Sequence, residues 1–207
     1  MKTLLLLKTS LFSTDGQSSR LALQFVERWQ RHHPGATVLT RDLARNPVPH
    51  LDAERFQAFL AKPADRTPAQ QALVRASDEL IDELRRSDVV VIGLPMYNFG
   101  VPSTLKAYFD QVARAGVTFR YTEKGSQGLL GGKQAFVFAA RGGKYSTQTD
   151  HQSAFVRQFL AFVGIDDVEF VYAEGLALGE ASASAALSAA RGAIERLAIP
   201  AAAALAA

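Results

Sequence analysis

The residues best suited to chemistry fall in three short stretches. The first is Pro95-Met96-Tyr97-Asn98-Phe99-Gly100-Val101-Pro102-Ser103, reached directly from the run Val89 to Gly93. A connection at such a point is normally short and polar, whereas this one sets Met96, Tyr97 and Phe99 between prolines that restrict the backbone. Large apolar side chains on a stiff loop suit a flat ligand, and Asn98 can donate to and accept from the edge of a heteroaromatic ring. One aromatic here would be an ordinary core residue; the whole cluster favours a ligand.

The second stretch, Thr9 to Ser19, ends in Gln17-Ser18-Ser19-Arg20 at the head of an amphipathic segment. A helix start offers free N–H groups and partial positive charge, which hold phosphate, and Ser10, Ser18 and Ser19 add hydroxyl donors. The pattern is neither a dinucleotide glycine fingerprint nor a Walker loop, so a monophosphate is the expected anion. Plain capping by Ser18 explains one serine but not the set. The third stretch, Arg141 to Tyr145, opens with Arg141-Gly142-Gly143, which lets backbone approach a ligand closely, though by itself it reads as an ordinary loop after a strand.

Other chemistries lack their residues. There is no cysteine, which removes thiol catalysis, disulfides and cysteine metal sites. His32, His33, His50 and His151 form no cluster with carboxylates, no nucleophile pattern occurs, and no metal site is expected.

Elements must bring the three stretches together. Thr3 to Lys8 reads as a buried strand. A helix follows from about Ser18 to His32, with Leu21, Phe25 and Trp29 on one face and Pro34-Gly35 as its stop. Thr37 to Thr40 is a short strand. Asp42 to Arg66 is an irregular connection with a short helix around Asp52 to Leu60. Thr67-Pro68-Ala69-Gln70 forms a capping box that opens the next helix. Asp88 to Leu94 is a strand, Thr104 to Ala115 a helix, and Gly116 to Gly132 a glycine-rich excursion holding Phe119 and Tyr121. Gln134 to Ala140 is a strand, Ser153 to Val163 a helix ended by Gly164, Val168 to Ala173 the last strand, and Ser182 to Ala198 the last helix. Ala201 to Ala207 is expected to fray.

This alternation predicts one α/β domain over residues 1–207, a doubly wound sheet of five parallel strands with helices on both faces. Ligands of such sheets sit beyond the carboxyl ends of the strands, where strand order reverses. In a flavodoxin-like order the first and third strands are neighbours there, and the three stretches rim one crevice.

Net charge is +3 with no basic block, so neither nucleic acid nor a membrane surface is an expected partner; only a weak pull on anionic ligands follows. The apolar run Leu4 to Leu7 is too short for a signal-peptide core and is interrupted by Lys8, and no run approaches a membrane span. A soluble cytoplasmic protein is the expectation.

A monophosphate at a helix start and a flat ring on an aromatic loop together describe FMN. On the runs Pro95 to Phe99, Leu105-Lys106-Ala107-Tyr108-Phe109-Asp110, Ala113 to Glu123, Gly128-Leu129-Leu130, Lys133, Arg141-Gly142-Gly143 and Ala173-Glu174-Gly175, with Lys8-Thr9-Ser10 and Gln17-Ser18, the chain closely resembles the bacterial FMN-dependent NADH azoreductase family. The resemblance spans essentially the whole chain and is loosest from Asn46 to Arg66. It implies a flavodoxin-like homodimer with one FMN per subunit and active sites at the dimer interface. By match, Ser10, Gln17 and Ser18 would hold the phosphate. Pro95, Met96, Tyr97, Asn98 and Phe99 would wrap the ring and ribityl chain. Ala140, Arg141, Gly142 and Gly143 would line the ring's polar edge, with the family's usual serine replaced by Ala140. Phe99, Tyr121 and Phe162 would meet substrate, the last two from the other subunit. Lys144 to His151 departs from the family pattern.

The expected activity is NADH-driven (or NADPH-driven) reduction of quinones and azo compounds by ping-pong hydride transfer, with the flavin rather than a side chain carrying the redox step. Arg55 and Arg66 are the candidates for an NADPH 2′-phosphate. The alternative is a flavodoxin-type electron carrier serving protein partners, which the basic pI of 9.3 disfavours.

Overall fold

The computed structural model describes residues 1–198, so the expectation for Ala201 to Ala207 lies outside the described residues. β1 (Thr3–Lys8) shows why the fold is layered. Side chains alternate across a strand, and here both faces are apolar: Leu5 and Leu7 enter one core, Leu4 and Leu6 the other. β3 (Val89–Pro95) is buried at every position. With β2 (Thr37–Asp42), β6 (Gln134–Ala140) and β7 (Asp167–Ala173) these form a parallel sheet in the order β2-β1-β3-β6-β7. The chain runs outward from β1 to β2, then crosses back to β3 on the other side of β1. The order therefore reverses between β1 and β3, as the sequence predicts.

Helices cover both faces. α1 (Gln17–His32) lays Leu21, Phe25 and Trp29 on one, joined by Ala190 and Ile194 of α6 (Glu180–Leu197). The other face takes α3 (Pro68–Arg86), α4 (Ser103–Val112) and α5 (His151–Val163) through Ile81, Tyr108 and Leu160, among others. The short α2 (Ala53–Leu60) lies in the irregular connection and packs on α3. The predicted capping box of α3 forms: Gln70 N–H donates to Thr67 Oγ1 at 3.2 Å and Thr67 N–H to Gln70 Oε1 at 3.0 Å.

Most element ends shift by one or two residues from the sequence expectation, and three differences have a visible cause or consequence. β2 continues past Thr40 because Arg41 and Asp42 still pair with Leu7 and Lys8 of β1. α4 stops at Val112, short of Ala115, because Thr118 competes for its end: Arg114 N–H donates to Thr118 Oγ1 at 2.9 Å and that hydroxyl donates to Val112 O at 2.6 Å. The glycine-rich excursion contains a hairpin, β4 (Phe119–Thr122) paired antiparallel with β5 (Gly125–Gly128), apart from the main sheet. Among the described residues no helix is long and apolar enough to cross a membrane.

Candidate active site

At the β1 side of the switch point, α1 begins without a side-chain cap; its N-cap position is Gly16. Ser18 therefore does not serve as the cap, and the amides of the first turn have no intrahelical acceptor. The Ser18 and Ser19 hydroxyls are both buried without a hydrogen-bond partner among the described residues. An orphaned buried hydroxyl costs about 1–3 kcal/mol, so two on one helix turn mark a place built for something further. Gly93 makes the approach feasible: a Cβ there would sit 3.1 Å from the Ser18 carbonyl oxygen, against backbone that cannot move aside. A Cβ on Gly16 would strike Ser10 Oγ at 2.1 Å. Ser10 is buried and accepts from Phe12 N–H at 3.2 Å, while Gln17 stands exposed beside it.

The turn before α1 is fixed from below. Lys8, at the end of β1, pairs with Asp42, at the end of β2, at 2.8 Å, and both are nearly buried. Lys8 also donates to Thr14 Oγ1 at 2.9 Å, and Asp42 accepts from the hydroxyl of Ser13, whose φ is +51°. Burial opposes the Asp42 charge, but the hydrogen bonds from Lys8 and Ser13 outweigh it and bring its pKa down to about 2.

The aromatic stretch leaves β3 as a tight turn. Tyr97 and Gly100 exchange both backbone hydrogen bonds, at 3.2 and 3.0 Å, around Asn98 (φ +48°) and Phe99 (φ +65°). Two successive left-handed residues make the two-residue hairpin turn, at a strain of roughly 1–2 kcal/mol each for residues with a Cβ. Strain of this kind collects at functional loops. The turn presents Phe99, 69% exposed, with Tyr145 edge-on at 6.4 Å. Met96 is half-buried; its N–H donates to Ala140 O at 3.3 Å, tying the loop to the end of β6. Tyr97 turns to the first loop: its hydroxyl accepts from Leu11 N–H at 3.2 Å and lies 3.4 Å from Ser10 Oγ. Thr9 donates to Gly93 O at 2.7 Å and closes the same seam.

After β6, the carbonyls of Arg141, Gly142 and Gly143 accept from Leu176, Ala177 and Gly175 N–H. Among the described residues no protein acceptor takes the amides of Gly142 or Gly143. The Arg141 side chain points into the protein: it pairs with Asp150 at 2.9 Å and Glu174 at 3.0 Å, its guanidinium lying over Tyr145 and Tyr172. What this residue offers the crevice is therefore backbone. Burial works against the Asp150 charge, and hydrogen bonds from Arg141 and Ser153 outweigh it and hold that carboxyl below its usual range.

Ser10, Gln17, Ser18, Pro95 to Phe99 and Ala140 to Gly143 thus meet at one end of the sheet. Tyr121 and Phe162 do not join them within one chain. Both pack on Phe119, at 5.5 and 4.2 Å between ring centroids. Phe162 lies near the end of α5, ten residues beyond Gln152, which touches the aromatic loop; at 1.5 Å per residue the two are about 15 Å apart along the helix. From the sequence alone Gln152 and the Lys8–Asp42 pair have no assigned part, and Thr9 and Tyr145 figure only as members of their loops. Only Lys8 and Thr9 carried a signal, standing beside Ser10.

The chain belongs to the family with the flavodoxin-like fold, whose model matches residues 1–198. Within that class its relatives are redox enzymes. A protein of Cellvibrio japonicus named FMN-dependent NADH:quinone oxidoreductase is 54% identical over 181 residues, 87% of this chain and 91% of its own length. One of the same name from Burkholderia pseudomallei is 52% identical, covering 94% of this chain and 98% of its own. The crystal structure of an FMN-dependent NADH-azoreductase from Bacillus anthracis in complex with FMN is similar with a TM-score of 0.85 and 27% identity, over 96% of this chain and 100% of that one.

Proposed function

We propose that this protein is an FMN-dependent oxidoreductase that uses NADH to reduce quinones, and azo compounds as well. The observation that carries the reading is the orphaned Ser18 hydroxyl on an uncapped helix start beside a strained aromatic turn. A phosphate supplies the acceptor that this hydroxyl and the free amides of the first turn lack, and a flat ring suits the turn. The residues fit FMN. When bound, it would supply the two-electron redox chemistry between NADH and the acceptor, and use of one crevice by the two in turn would give ping-pong kinetics.

In this reading Ser10, Gln17 and Ser18 hold the phosphate, and Pro95 to Phe99 flank the ring. Asn98 and the unoccupied amides of Gly142 and Gly143 are the donors at its polar edge, oriented in advance to favour negative charge there. No side chain is needed as nucleophile or metal ligand. NADH is the donor named for the relatives; of the two arginines considered for a 2′-phosphate, Arg55 pairs with Asp52 and Arg66 donates one bond, from Nε to Ala61 O at 3.1 Å. We read residues 1–207 as one domain acting in the cytoplasm as a homodimer, with no nucleic-acid or membrane partner. The second copy brings Tyr121 and Phe162 over the site; Phe162 lines an open hollow of about 540 Å³ together with Ser126, Phe155 and Phe159, and Tyr121 packs with it on Phe119.

The test is to purify the protein, reconstitute it with FMN and follow NADH and NADPH oxidation with one quinone and one azo dye, no other protein being present. Flavin absorption and rapid NADH oxidation are expected. A protein that takes no FMN would sink the reading, and turnover only with an added protein partner would favour an electron carrier.

A further inference from the structure

We propose that Gln152 is a positioning residue for the aromatic turn, its buried amide holding both ends of the Met96–Phe99 segment and so setting how firmly the flavin is gripped. The inference rests on the FMN reading above. Gln152 is 1% exposed and stands in the first turn of α5. Its Nε2 donates to Pro95 O at 2.8 Å and to Gly100 O at 2.9 Å. An amide nitrogen has two donors, so both are committed. The two carbonyls bracket the loop: Pro95 is the last residue of β3, and Gly100 closes the turn.

The turn's internal bonds fix its shape but not its attitude to the sheet. The bond from Met96 N–H to Ala140 O, at 3.3 Å, is a long tie on one side. The Tyr97 hydroxyl, accepting from Leu11 N–H at 3.2 Å, is a tie on the other side; Gln152 is the shortest tie, and it is itself held. Asp150 caps α5 by accepting from Ser153 N–H at 2.9 Å. Arg141 donates to Asp150 Oδ1 at 2.9 Å and to Ser153 Oγ at 2.7 Å. The arginine of the third loop thus anchors the helix turn whose amide holds the second loop. Packing alone does not call for glutamine here: its Oε1 is buried without a partner, a cost a methionine of similar length would avoid. What glutamine adds is the pair of donors.

Two variants test this. Gln152→Met keeps the volume and removes the donors; Gln152→Glu keeps the shape and sets an acceptor against two carbonyls. FMN dissociation constants are measured by fluorescence titration of the apoprotein, amide hydrogen exchange is read across residues 96–101 and in β1 and β6, and kcat and KM for NADH are measured on the loaded enzyme. Expected for Gln152→Met are an FMN Kd about tenfold higher, the equivalent of about 1.4 kcal/mol, and faster exchange confined to 96–101. A fall in kcat larger than any change in KM should accompany them, and Gln152→Glu should be worse. Should Gln152→Glu fail to fold, Gln152→Met carries the comparison. Wild-type Kd and loop exchange in Gln152→Met would overturn the proposal, as would exchange that accelerates equally in β1 and β6, the mark of global loosening. If the wild type itself takes no FMN, the cofactor reading falls, and the exchange comparison still decides the role of Gln152.

Discussion

Ser18 and Ser19 separate a structural role from a binding one at the scale of single atoms. A capping hydroxyl stabilises the empty protein; an orphaned buried hydroxyl destabilises it. Ser18 is the second kind, since Gly16 holds the cap position and no side chain fills it. Ser18→Ala should therefore leave the FMN-free protein as stable as wild type, or more stable by up to about 1 kcal/mol, while weakening FMN binding about tenfold or more, as expected for a lost bond to a charged group. Thermal melts and a fluorescence titration check both halves. A drop in apoprotein stability with unchanged affinity would make Ser18 a structural residue after all. Sequence could bring Ser18 to the start of a helix but not say whether its hydroxyl was satisfied, because that depends on Gly93 letting α1 settle on β3.

At the scale of elements, the proposed phosphate end depends on how β1 and β2 finish. Asp42 ties their ends together through Lys8 and pins the turn before α1 through Ser13. Its folded pKa lies below its unfolded one, so the stabilisation is complete above the ordinary value of 3.8 and is lost as pH falls through about 2. Asp42→Asn leaves Lys8 buried and unpaired, which should cost about 3–5 kcal/mol at neutral pH. The gap between wild type and Asp42→Asn in urea unfolding should narrow as pH drops across that window; a gap independent of pH would show that the Asp42 charge contributes nothing. The buried strands were legible because Leu4 to Leu7 and Val89 to Leu94 are apolar on both faces. The end of β2 was not, because Arg41 and Asp42 look like loop residues until their partners are known. The hairpin was hidden by its glycines, and Gln152 by distance: its two acceptors lie 57 and 52 residues away in sequence.

For the whole molecule, one chain gives a crevice with an anion end, an aromatic wall and a backbone edge, yet leaves Tyr121, 75% exposed, far from all three. In the proposed homodimer a second copy would supply it. Tyr121→Ala should fold normally and bind FMN as wild type does, because the side chain is mostly in solvent in a single chain. It should raise KM for a quinone severalfold, and light scattering should give a dimer mass for the wild type. A monomeric wild type with full activity would leave Tyr121 and Phe162 without a role in the site. The central claim is that the crevice holds a flavin that alternates between donor and acceptor. The most direct measurement is anaerobic: mix the FMN-loaded protein with NADH, follow the flavin absorption, then add one equivalent of quinone per site. The account predicts that NADH alone bleaches the flavin and that quinone then restores it, with no other protein present. A flavin that NADH leaves unbleached, or that quinone cannot restore, would contradict it.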